Sequence, residues 1–130
     1  MNERPRYELP RVAMLEAMKA VGDELKKPEP KGLKGDADKL RYDLLPLDAL
    51  EQVTRVLTHG AEKYSPWNWA QGFAWSRLTA ASLRHIFAFM RGQDLDPETG
   101  ISHLAHAICC LAFLLSHTIQ EAGSDDRHRS

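Results

Sequence analysis

The sequence predicts an all-α chain folded as a small antiparallel four-helix bundle. Three observations carry that prediction. Apolar residues recur at helical spacing in four separate stretches, and segments rich in Pro and Gly divide those stretches. No segment shows the sustained alternation with β-branched residues that a strand needs. Striped helices must bury their apolar faces against one another, and a bundle does this directly.

The first helix is expected over residues 11–26. Pro10 suits a helix start, and Met14, Met18, Val21 and Leu25 fall on one face. "KKPEPKGLKGDADKLRYDLLP" then runs irregularly, because Pro and Gly break any helix there. A second helix is expected over residues 47–64, striped by Leu50, Val53 and Leu57, and "SPWNWAQGFAW" follows it as a tryptophan-rich turn segment. The third helix is expected over residues 76–91 with Ser76 as its N-cap. "GQDLDPETG" reads as a loop, and the fourth helix as residues 102–120. Residues 1–120 are expected to form one domain, and 121–130 a flexible polar tail.

Bulk properties remove several classes of function. At 130 residues, 43% apolar and 27% charged, the composition is that of an ordinary globular domain. A net charge of -1 gives no pull towards nucleic acid or anionic lipid, so no stable nucleic-acid partner is expected. Cys109 and Cys110 diverge by about 100° on a helix and read as small apolar residues, which suits a reducing cytoplasm. The opening "MNERPRYELP" has no signal-peptide core, and the apolar run 104–115 is short of the roughly 20 residues a bilayer requires. A cytoplasmic protein without a membrane partner is expected.

The fourth helix carries the first chemical candidate. His103 and His106 stand three apart and share a face that continues through Cys110, Phe113 and His117. His85, midway along the third helix, meets that face if the two helices pair antiparallel across the loop holding Asp94, Asp96 and Glu98. Three imidazoles and up to three carboxylates are donors of the kind that hold Mn²⁺, Fe²⁺, Co²⁺ or Zn²⁺. The alternative is a set of hydrogen-bonded structural histidines, with "DPETG" serving only as a turn before a helix.

The second candidate is "HGAEKYSPWNW", residues 59–69. Lys63 can meet phosphate oxygens, Tyr64, Trp67 and Trp69 offer flat surfaces for a base, and Asn68 both donates and accepts. The competing reading is core tryptophan beside a solvated lysine. In "DADKLRYDLLP", Lys39, Arg41 and Tyr42 suit either an anion-binding lid or a solvated loop anchored by Leu44 and Leu45. Arg84, beside His85, faces either a phosphate or an acid.

Taken together and in order, "KLRYDLLP", "GAEKYSPWNW", "LRHIFAFMRGQDLDPETG" and "HLAHAICCLAFL" resemble the phage and bacterial dATP/dGTP diphosphohydrolase family, relatives of the MazG-like all-α nucleotide pyrophosphohydrolases. The resemblance spans about residues 36–117. It implies a MazG-like fold and hydrolysis of a purine deoxynucleoside triphosphate to the monophosphate and pyrophosphate. In phages that replace adenine with 2-aminoadenine, such enzymes remove dATP and supply dGMP. A homo-oligomer, dimer or tetramer, is also implied, because a four-helix unit of this size often completes its core across an interface.

The sequence departs from the MazG-like pattern in one respect. Those enzymes generally hold Mg²⁺ with E-x-x-E on one helix and E-x-x-D on the next, and neither motif occurs here. His103 and His106 fill the place of the second pair. The resemblance therefore implies a mixed site of His85, Asp96, Glu98, His103 and His106 for a divalent ion, Mn²⁺, Co²⁺ or Mg²⁺. Within it Glu98 would orient or deprotonate the attacking water, beside Asp96 and His85. Lys63, with Arg84 or Lys39, would neutralise phosphate charge, while Tyr64, Asn68 and Trp69 would hold the base.

Overall fold

The computed structural model describes residues 11–24 and 28–130. It is helical, with no strand among the described residues, as the spacing of apolar positions predicts. The helices are α1 (Arg11–Glu24), α2 (Leu47–Lys63), α3 (Trp75–Met90) and α4 (His103–Gln120). The expected extension of α1 through Leu25 and Lys26, and its start at Pro10, lie outside the described residues.

The chain divides into two compact units, Met1–Leu40 and Arg41–Ser130. The first holds α1, whose Met14, Met18 and Val21 are exposed, followed by irregular chain with a turn in which the Lys39 amide donates to the Asp36 carbonyl.

In the second unit α4 is the central element, packed against both α3 and α2. Its sequence explains this place. Ala105, Ala107 and Cys109 are small and buried, which lets neighbouring helices approach closely, and His103 and His117 are buried with them. By length and composition α4 is also apolar enough to cross a membrane, but here it serves as the packing core for two helices. Ser102 caps it, its hydroxyl accepting from the Leu104 amide, and a left-handed Glu121 closes it. On α3, Leu78, Ser82 and Ala88 are buried, and Ser82 donates back to the Leu78 carbonyl. On α2, Val53 is buried, whereas Leu57 lines a cavity beside α4.

The start of α3 differs from expectation. The flanking residue is Ala74, which offers no side-chain cap, and Ser76 already lies inside the helix. The cap comes from far along the chain: Asp126 accepts from the Ser76 amide at 2.9 Å and from the Ser76 hydroxyl. The segment expected as a tail holds further bonds, from the Trp75 amide to Ser124, from Ser124 to Phe73, and from the Trp75 indole to the Ala122 carbonyl at 3.0 Å. Gly72 and Gly123 both take positive φ and let the two backbones touch.

Candidate active site

The loop between α3 and α4 is built around Asp96. Its Oδ1 accepts from the amides of Glu98 and Thr99, both at 3.0 Å, and from the Thr99 hydroxyl at 3.3 Å. This Asx-type turn, with Gly100 in the left-handed region, reverses the chain so that α4 starts beside α3. The His103 amide donates to the Asp94 carbonyl at 2.9 Å, which fixes the first turn of α4 against the loop.

Across that junction three donors converge. His85, Asp96 and His103 offer ligand atoms that all lie within 4.8 Å of one another. The two imidazole Nδ1 atoms are 2.8 Å apart. His106 stacks on His85, with centroids 4.6 Å apart at 13°, and its Nε2 lies 2.7 Å from the Thr99 hydroxyl. Burial lowers the His85 pKa, helped by the neighbouring His106 and His103, and lowers that of His106 as well. Asp96 is pushed upward by burial, but the Thr99 amide, His106 and the Glu98 amide together hold it below the usual carboxylate range. Lowering the His85 and His106 pKa favours their neutral rings, and lowering that of Asp96 favours its carboxylate, the forms that ligate a cation. Two histidines and one carboxylate at this separation are a donor set of the kind that holds a metal ion.

Glu98 and Lys63 link this cluster to α2. The Lys63 Nζ donates to the Glu98 Oε1 at 2.7 Å, and that hydrogen bond, then the opposite charge, moves the Lys63 pKa upward and the Glu98 pKa downward. Lys63 stands between Ala61 and Tyr64, which both line a cavity of about 500 Å³ that also takes in Leu57 and Gly60 of α2. Tyr64, Trp67, Asn68 and Trp69 line it together with Ala112 and Phe113 of α4. Trp69 stacks on Phe113 at 4.9 Å and 8°.

Of the five residues expected as metal ligands, the structure gathers His85, Asp96 and His103 into one donor group, while His106 and Glu98 stand beside it on Thr99 and Lys63. Tyr64, Asn68 and Trp69 share the cavity. Arg84 is exposed and borders a second hollow with Arg77 on another face of α3, and Lys39 belongs to the first unit. Sequence reasoning passed over Thr99, whose hydroxyl lies between Asp96 and His106. The Asp-x-x-Thr spacing of an Asx turn is the signal that finds it. It also passed over His59, whose half-buried ring has an Nε2 with no partner and which lies within electrostatic reach of Glu98 and His106. The spacing His59 to Lys63, one helical turn, places both on one side of α2.

Residues 29–127 match the family described as dATP/dGTP diphosphohydrolase, N-terminal. The chain belongs to that family. It is 38% identical over 99 residues to a dATP/dGTP diphosphohydrolase of Salmonella phage PMBT28, covering 76% of this chain and 34% of that relative. The chain thus spans about a third of the length of the curated relative it matches. No solved structure matches it. The family match takes in α2, α3, α4 and every residue of the histidine–aspartate cluster and the aromatic cavity.

Proposed function

We propose that this domain hydrolyses purine deoxynucleoside triphosphates, dATP and dGTP, to the monophosphate and pyrophosphate. The observation that carries the reading is the junction at Lys63–Glu98. Lys63 is next in the chain to Tyr64, in the wall of an aromatic cavity suited to a base, and it bonds Glu98, two residues from Asp96 in a cluster of histidine and carboxylate donors suited to a phosphate-bound cation. Membership of the family and the name of the phage relative support the same activity.

His85, Asp96 and His103 would hold a divalent ion, Mn²⁺, Co²⁺ or Mg²⁺, with His106 and Glu98 beside it. The His85 and His103 Nδ1 atoms face each other at 2.8 Å beside Asp96, a set of donors that such an ion would satisfy. Bound there, the ion supplies charge neutralisation on the triphosphate and a more acidic water.

The rest falls to the chain's own groups. Lys63 meets the phosphates and gives up Glu98 as it does so. Glu98, freed, orients and deprotonates a water whose oxygen bonds to the α-phosphorus as the bond to the pyrophosphate oxygen breaks. Thr99 holds His106 in place against His85. Asn68 reads the edge of the base, and Tyr64 and Trp69 hold its face. Arg84 and Lys39 are further candidates for phosphate charge. We further propose a homo-oligomer working in the cytoplasm of the host cell, with dGMP supply for a 2-aminoadenine pathway as one use of the product.

The test is turnover by metal-stripped protein of dATP, dGTP, dCTP and dTTP, with and without Mn²⁺, Co²⁺ or Mg²⁺. Metal-dependent release of pyrophosphate and a purine monophosphate is expected. Release of orthophosphate or a diphosphate would move the chain to another phosphohydrolase class, and no turnover with any ion would end the reading.

A further inference from the structure

The aromatic cavity contains a residue whose conformation the reading above leaves unexplained. Trp67 has φ 65° and ψ 14°, the left-handed region that a bulky side chain rarely enters. Two backbone bonds bracket it and hold it there, from the Asn68 amide to Ser65 and from the Ala70 amide to the Trp67 carbonyl at 2.9 Å. Strain of this kind is ordinarily offset by packing, yet Trp67 as a residue is 71% exposed. The fold holds an unfavourable backbone while a large, mostly exposed residue lines the cavity.

The neighbouring rings show what that placement does. One face of Trp69 is taken by Phe113, with His117 one turn further along α4 at 6.2 Å and 23°. Trp69 is thereby fixed. Trp67 lies 5.8 Å from Trp69, tilted by 41°, so the two indoles make a wedge open to the cavity. A flat ring stacked between two others needs their centroids about 7 Å apart and nearly parallel, two stacking separations of about 3.5 Å. The wedge is about 1 Å too narrow, and Trp67, exposed on its outer side, is the ring with room to turn.

Resting on the nucleotide reading, the geometry points to Trp67 as the moving jaw of an aromatic clamp that closes on the base, with Trp69 as the fixed jaw. A two-ring base overlaps both indoles more fully than a one-ring base. The clamp therefore selects purines over pyrimidines by stacked area, while Asn68 between the jaws reads the base edge.

Trp67→Asn removes the indole and keeps a residue that tolerates the left-handed backbone. Trp67→Phe keeps a smaller jaw. For Trp67→Asn, KM for dATP should rise between about five-fold and 150-fold, the range for loss of one stacked aromatic, with kcat changed less than about three-fold. Trp67→Phe should fall between that variant and the natural chain. The second readout needs no turnover: 2′-deoxyadenosine, which carries no phosphate, should quench tryptophan fluorescence of the natural protein more strongly than 2′-deoxycytidine does. Trp67→Asn should lose most of that quench, and inorganic pyrophosphate should cause none. An unchanged KM with the quench intact in Trp67→Asn would overturn the clamp while leaving the nucleotide reading standing. Absence of both turnover and quench in the natural protein would overturn the two together.

Discussion

Glu98 and Lys63 are each other's partner at 2.7 Å, and both side chains are substantially exposed. An exposed ion pair of this kind contributes little to stability, so the pair can be broken without unfolding the domain. Glu98→Gln should leave Tm essentially unchanged in a thermal melt. Its turnover should fall by about 10²–10⁴-fold, the usual contribution of a positioned general base. Near-normal activity in that variant would remove Glu98 from the chemistry. His106→Ala should abolish turnover while circular dichroism stays helical, because the ring is half-buried against His85 and Thr99 and not part of the apolar core. At this scale the sequence was partly informative. The three-residue spacing of His103 and His106 and the antiparallel return to His85 were readable from helix periodicity. The division of labour was not, because it depends on an Asx turn that sends Asp96 inward and Glu98 outward, and on Lys63 arriving from a helix 35 positions earlier.

At the scale of elements, the four helices and their near boundaries follow from apolar spacing, since a stripe has to be buried and Pro and Gly have to interrupt it. The start of α3 did not follow. Ser76 looks like an N-cap because its type is right, but the helix starts one residue earlier and takes its cap from Asp126. A contact across 50 positions leaves no local pattern. It does leave a consequence for acid stability. The hydrogen bonds from Ser76 lower the Asp126 pKa, so the folded state holds that proton less tightly than the unfolded chain does. The stabilisation is present above the ordinary carboxylate range, near pH 4, and is lost as pH falls through the lowered value. Asp126→Asn should therefore reduce Tm at pH 7 by a few degrees, and the gap from the natural chain should close as pH falls below the ordinary carboxylate range. Gly123→Ala tests the same docking sterically. At φ +70° its new Cβ would run into the Phe73 carbonyl, so Tm should fall further than in Asp126→Asn.

For the whole molecule, the question is what covers α4. Among the described residues the buried apolar core consists of Val53, Leu78, Ala88, Ala105, Ala107 and Cys109, three of them alanines. Burial pushes the Cys109 thiol up to about 12, so it acts as one more apolar group. That is a thin core for a chain of 130 residues. Meanwhile Leu104, Ile108, Leu111, Leu115 and Ile119 form an apolar stripe along α4, each between 41% and 73% exposed. Their spacing of four, three, four and four is the seam along which two helices pack with interlocking side chains. A two-fold axis across such a seam would bury it against its own copy and let two thin cores become one. Light scattering on the purified 14.7 kDa chain should then give about two or four times the monomer mass. Leu111→Glu, which puts a charge at the middle of the stripe, should return the mass to that of a monomer and lower Tm, because each copy would lose the burial that its own core does not supply. A natural chain that stays monomeric at micromolar concentration would mean that the stripe finds its cover within the chain.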